Sequence, residues 1–254
     1  MIGVYYPYLE SAKKWEELKY SLRGLDRFFG EDFEVWIVGD LPSWIKGVRH
    51  IPHKKTERIT SSATYDAVSK LSQYIDNKDS PERFVRMYDD IYFIAERTLA
   101  DLEVTRYLFS YEEFSSGGCR SGSLIWQDQV RKSVEAVRQI GYPGYMTETH
   151  CPEVFEKKKM QKVFALFGPL ENRLLTSTLY YNVFPFGRLL KDRKTERALF
   201  YGQENDFSYG NLSGSQMDQI LKGKYFLNHN DLGLDNDLKK YICKMFPQKS
   251  RFEK

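Results

Sequence analysis

Apolar and polar positions change their period several times along the chain, and each change marks an element. Ile2 to Tyr8 is an apolar and aromatic run of strand character. Between Lys13 and Phe29, Trp15, Leu18, Leu22 and Leu25 recur at steps of three and four. That spacing predicts an amphipathic helix, which Gly30 terminates. Phe33 to Val38 is again β-rich and is closed by Gly39-Asp40, and Leu41-Pro42-Ser43-Trp44 reads as a turn-forming loop. A short strand at Val48 to Ile51 and a second helix at Ser62 to Ile75 follow. Arg83 to Ile94 then carries the strongest strand pattern in the sequence, interrupted by Asp89-Asp90.

This order of strands and helices predicts an α/β fold, a mostly parallel sheet flanked by helices. In such sheets ligands bind beyond the carboxyl ends of the strands, and the acidic pair falls near the end of the fourth. After residue 110 the pattern changes. Residues 111–123 include Ser115-Ser116-Gly117-Gly118-Cys119-Arg120-Ser121-Gly122-Ser123, too polar and Gly-rich for a packed element, which reads either as a lid or as a surface connection. Trp126 to Ile140 and Glu153 to Phe167 are predicted helices. The rest is a helical and irregular C-terminal part, in which the polar stretch Gly187 to Tyr209 is expected to be mobile. A chain of 254 residues fits one main domain.

Composition narrows the function classes. Aromatic residues make up 15% of the chain, serving either as stacking faces for sugars and bases or as ordinary core filling. The 38 basic and 35 acidic side chains leave a net charge of only +3, too balanced for a nucleic-acid partner. The most basic run, Glu156-Lys157-Lys158-Lys159, suits either a solvated helix face or contact with phosphate or an acidic membrane surface. Cys119, Cys151 and Cys243 show neither disulfide nor zinc spacing, which fits a reducing compartment. No signal peptide and no bilayer-spanning stretch is evident, so a cytoplasmic protein, at most peripheral to a membrane, is expected.

Two carboxylates inside an apolar strand need a reason, because unpaired charge in a sheet costs several kcal/mol. Asp89 and Asp90 either hold a hard divalent cation through oxygen ligands or form a strand-terminal turn open to water. His150, in Thr147-Glu148-Thr149-His150-Cys151-Pro152, precedes a helix expected to start near Pro152 and is placed either to exchange protons or to support structure. Tyr225 to Asp231 ends in Asn228-His229-Asn230-Asp231, which reads as one wall of a polar site or as a turn. No P-loop, Rossmann fingerprint or Gly-x-Ser-x-Gly elbow is present.

Together these blocks resemble the Stealth family of bacterial capsule and lysosomal-targeting sugar-phosphate transferases. Glu16 to Arg23, Val35 to Asp40 with Pro42-Ser43-Trp44, and Met87 to Phe93 look like its long second block. His150-Cys151-Pro152 with Phe155 to Lys158 looks like the third, and Asn230-Asp231 with Met245 to Glu253 like the fourth. The resemblance implies a GT-A-like fold and transfer of a sugar-1-phosphate from a nucleotide sugar, UDP-sugar favoured, to a saccharide or glycolipid acceptor with Mg or Mn. It implies that Asp89 and Asp90 hold the metal, that His150 is the base, that Arg173 meets phosphate, and that Asn230 and Asp231 complete the cleft. Tyr5, Tyr6 and Asp40 are the further candidates for donor contact. Residues 1–110 would then be the nucleotide-sugar-binding half and 111–254 the acceptor-side half of one domain. The family's first block is absent, with Tyr5-Tyr6-Pro7-Tyr8 in its place, and Tyr88 stands where Asn is usual. Those departures leave transfer of the sugar alone, or a binding module without catalysis, as the other readings.

Overall fold

The computed structural model describes residues 1–54, 62–118, 123–192, 196–200 and 212–254. Within them run the strands β1 (Ile2–Tyr8), β2 (Phe33–Gly39), β3 (Arg49–Pro52), β4 (Arg83–Arg86), β5 (Ile91–Phe93), β6 (Thr105–Tyr107), β7 (Glu153–Glu156), β8 (Leu189–Lys191), β9 (Arg197–Phe200) and β10 (Phe226–His229). The main sheet has the order β3-β2-β1-β4-β7, parallel except for β7, which pairs antiparallel with β4. A second sheet, β5-β10-β9, and a parallel pair, β6-β8, lie outside it. Strands from both sides of residue 110 therefore share the two larger sheets.

Side-chain alternation on β1 divides the core. Val4, Tyr6 and Tyr8 join one apolar layer with Leu18, Leu22 and Leu25 of the helix Glu17–Phe28. Tyr5 joins the opposite layer, against Leu71 and Tyr74 of the helix Ser62–Asp76 and against the helices Lys157–Phe167 and Thr176–Val183. The helix Glu17–Phe28 approaches β5 so closely that a Cβ on Gly24 would lie 2.7 Å from the Phe93 carbonyl oxygen.

Two expected elements differ. Arg83 to Ile94 is not one strand: β4 ends at Arg86, the chain turns through Tyr88-Asp89-Asp90, and β5 begins in another sheet. In a continuous buried strand the two adjacent carboxylates would face opposite apolar layers, and the turn takes both out of the ladder. Glu153 to Phe167 begins as a strand, and its helix starts only at Lys157. Val154 enters the first core layer and Phe155 the second, a period of two that outweighs the helical run behind it. His150 thus precedes an edge strand, where Pro152 is tolerated, and does not precede a helix. Part of the Gly-rich region is also built: Ser110 and Glu113 form a capping box on Tyr111–Glu113, and Phe114 packs under the helix Leu124–Gln139. Residues 119–122 lie outside the described residues, as do 193–195 and 201–211 of the polar stretch, which otherwise contributes β8 and β9.

A C-terminal clamp holds the loop after β2. Glu253 accepts two 2.7 Å bonds from Arg23, Lys46 N–H donates to the Phe252 carbonyl, and Lys254 N–H donates to the Trp44 carbonyl. Phe252 is buried in the first core layer. Burial works against ionisation of Glu253, but Arg23 and the Ser250 amide outweigh it and hold the carboxyl below its usual range. A depressed carboxyl contributes stability above its unfolded value near 4.3 and loses it as pH falls through the folded value. Glu253→Gln should lower unfolding free energy at pH 7 by about 3 kcal/mol. It should also flatten the loss that the wild type shows between about pH 5 and pH 3, which urea titrations at several pH values measure.

Candidate active site

The carboxyl end of β4 opens into the turn Tyr88-Asp89-Asp90, and the chain returns to it sixty residues later. His150 Nε2 lies 3.0 and 3.1 Å from the two carboxylate oxygens of Asp90. Its ring stacks on Tyr88 at 5.5 Å between centroids with a 6° interplanar angle. Both partners of the ion pair are partly exposed. Burial opposes charge on the imidazole, but Asp90 prevails and raises the His150 pKa. Burial likewise opposes charge on Asp90, and His150 prevails there, lowering its pKa. His150 adopts φ 53°, left-handed and uncommon for a residue other than glycine.

Asp89 is in the contrary situation. Burial, then Asp90, then Glu17 push its carboxyl up to about 7, against the smaller opposing influences of a backbone hydrogen bond and of His150. Glu17 itself is buried, accepting from the Lys14 and Trp15 amides. Negative charge therefore accumulates where the turn meets the start of the helix Glu17–Phe28.

Beneath the turn, Arg86 is buried and paired in register with Glu153 across β4 and β7. Its guanidinium also reaches Thr176 at 3.0 Å, the Ser177 hydroxyl, and Glu148 at 3.9 Å, and it lies 5.4 Å from the Tyr88 ring. Burial and then Glu153 push Glu148 up to about 7. On the other flank, β10 presents Asn228 and His229. Asn228 donates to the His150 carbonyl. His229 meets the Tyr92 hydroxyl at 2.8 Å, and burial lowers its pKa. Cys151 is no nucleophile here, because burial pushes its thiol up to about 11.

Other sequence candidates lie elsewhere. Tyr5 and Tyr6 are buried in the two core layers and do not reach the surface. Tyr6 acts structurally: Ser21 donates to the Ile91 carbonyl at 2.6 Å, so the Tyr6 hydroxyl donates to Ser21 at 2.9 Å and pins the far end of the acidic turn. Asn230 accepts from the Gly233 amide and closes a turn, while Asp231 is exposed with Lys14 at 3.7 Å. The two residues before them, Asn228 and His229, belong to β10 and reach the His150 carbonyl and the Tyr92 hydroxyl. Arg173 is exposed, left-handed (φ 57°) at the end of the short helix Pro169–Asn172, and belongs to none of these contacts with Asp90 or His150.

Asp40 does stand at the carboxyl edge, where it accepts from the Glu10 amide at 2.8 Å and fastens the loop after β1. Gly39 before it has φ 128°, and a Cβ there would lie 1.9 Å from the Tyr8 carbonyl oxygen. That carbonyl accepts from buried Lys70, which pairs with Asp66 at 2.6 Å; His53 meets Asp66 at 3.2 Å. Sequence reasoning missed this buried group and the Arg86 network. The available signal for the second was an arginine within an apolar strand run.

No family model and no curated protein matches the chain by sequence, so the Stealth resemblance gains no support from either. Solved structures do match its fold. WbbM, a bifunctional glycosyltransferase in its apo form, superposes with a TM-score of 0.50 at 12% identity over 97% of this chain and 52% of WbbM. The chain thus spans about half the length of that protein. An active-site mutant of LgtC superposes with a TM-score of 0.50 at 8% identity, covering 98% of both chains. The fold is that of GT-A-type glycosyltransferases.

A carboxyl raised from near 4 to about 7 destabilises the folded state increasingly as pH rises through that window. Asp89→Asn should therefore stabilise the protein at pH 8 by roughly 2 kcal/mol, after allowance for solvent screening at this half-buried position. It should also remove most of the decline that wild-type stability shows between about pH 4 and pH 8. A less stable variant at pH 8 would show that Asp89 is held by a favourable partner.

Proposed function

We propose that this chain is a glycosyltransferase acting on a nucleotide-sugar donor, with Asp89, Asp90 and His150 at its reacting centre. The observation that carries the reading is the Asp90–His150 contact at the carboxyl edge of a GT-A-type sheet. The fold supports a donor binding there by general rule.

Asp89 and Asp90 would hold a divalent cation of the Mg or Mn kind. Hard oxygen donors suit it, and the charge concentrated at Asp89 and Glu17 favours a cation. Among the described residues no three such side chains converge to hold an ion by themselves, so water and the donor's phosphates would supply the remaining ligands. When bound, the cation neutralises charge on the diphosphate.

The chain's own groups do the rest. Asp90 fixes the imidazole of His150 and increases its basicity, as expected of an acid-oriented base. In this reading the His150 imidazole takes the proton from the acceptor hydroxyl. Tyr88 holds the ring plane from one side. Asp40 and the loop after β1 form the donor side of the edge.

Attack at the anomeric carbon releases a nucleoside diphosphate, and attack at the sugar-bearing phosphorus releases a nucleoside monophosphate. Sugar transfer is the favoured route, because the matched solved structures include a glycosyltransferase and the chain departs from the sugar-phosphate transferase pattern at its first block. UDP-sugars are the first donors to test, with saccharide or glycolipid acceptors of bacterial surface polymers.

Incubation with a panel of nucleotide sugars, Mn²⁺ and candidate acceptors should release a nucleoside diphosphate. A thermal shift without turnover across the panel would favour a binding module instead. Asp90→Ala should fold yet lose nearly all turnover. His150→Ala should lower kcat by about two to four decades, and a loss below about tenfold would reduce His150 to a structural role.

A further inference from the structure

Asn228 occupies the middle of β10, opposite Ile91 of β5 and Leu199 of β9. It is fully buried. Its neighbours in the strand, Phe226 and Leu227, enter different core layers, so an apolar residue would suit the position sterically. The asparagine instead spends its amide nitrogen on the carbonyl of His150, seventy-eight residues away in sequence. That bond fixes the carboxamide orientation, since the reverse rotamer would set two oxygens against each other. The cost is visible: among the described residues the buried Asn228 Oδ1 atom has no hydrogen-bond partner. A buried acceptor left unsatisfied weakens a fold, so stability alone does not account for the residue.

The accepting residue explains the arrangement. His150 is left-handed at φ 53°, a conformation that a non-glycine side chain rarely holds without outside support. The imidazole reaches Asp90 from that backbone conformation. Asn228 pairs directly with Ile91, the residue after Asp90, so the strand whose carboxamide grips the His150 backbone is paired with the strand that the Asp90 turn leads into. We propose that Asn228 is a positioning residue for catalysis: by holding the His150 carbonyl it maintains the left-handed turn that delivers the imidazole to Asp90. The assignment rests on the reading of His150 as the base, and its structural half can be tested without any turnover.

The test uses the full chain with Asn228→Ala and the isosteric Asn228→Asp, which keeps the volume but replaces the donor with an acceptor. Two readouts are taken. In proton NMR of the wild type, the shared His150 Nε2–H should give a downfield imidazole resonance that disappears in His150→Ala, and the Asn228 carboxamide protons should exchange slowly. In a variant that retains a folded amide spectrum, that resonance should vanish or move upfield. In turnover with the nucleotide sugar that the wild type uses, kcat should fall about ten- to hundredfold with KM for the donor changed less than about twofold. Retention of the resonance and of kcat in a folded variant overturns the proposal. So does fast exchange of the carboxamide in the wild type, which needs no variant to fold. If the wild type turns over no donor, the functional reading fails by itself, while the imidazole signal still decides whether Asn228 sets the His150 geometry.

Discussion

An electrostatic bond closes a loop of sixty residues: the Asp90 carboxylate on one side, the His150 imidazole on the other. Each partner depends on the other for its charge, since burial alone would neutralise both. Much of the surrounding architecture serves that contact. Tyr6 and Ser21 pin the chain just after Asp90, Tyr88 supports the ring, and β7 enters the main sheet directly after His150. Breaking the pair would leave two partly desolvated groups unmatched, so the contact constrains both halves of the chain at once.

Beside this mutually charged pair stands a group whose charge the fold opposes. Asp89 shares the turn, but burial, and then the like charges of Asp90 and Glu17, raise its pKa. Adjacent residues in one turn thus have opposite electrostatic characters. A fold under selection for stability alone would not keep Asp89 in that place, and residues that oppose folding while lining an edge are typical of functional sites. Arg86 beneath the turn is consistent with this, committed to Glu153, Thr176 and Ser177 and leaving the carboxylates above it to other partners.

What the sequence made legible followed from what local patterns can encode. The first 80 residues obeyed simple periodicities, and β1, β2, β3 and the helices Glu17–Phe28 and Ser62–Asp76 lie where those periods put them. The acidic pair was conspicuous because charge is rare inside apolar runs. The break between β4 and β5 was not, since nothing in Arg83 to Ile94 says that its two ends join different sheets. β7 was hidden because four strand residues run straight into a helix and the longer pattern absorbed them. Tyr5 and Tyr6, candidates for donor contact, lie on central β1, whose aromatics fill core on both sides. In the segment that leads to Asn230-Asp231, strand pairing commits Asn228 and His229 to β10, and the chain turns at Asn230.

The passage of the chain from β4 to β5 also has a mechanical consequence. The acidic turn is the covalent crossing between two hydrogen-bonded sheets, and His150 is gripped from both, by β7 through chain continuity and by β10 through Asn228. A slip of one sheet past the other by about an ångström stretches a 3 Å hydrogen bond beyond useful length. Displacement of one sheet against the other is therefore coupled, through this turn, to the separation of proton donor from acceptor.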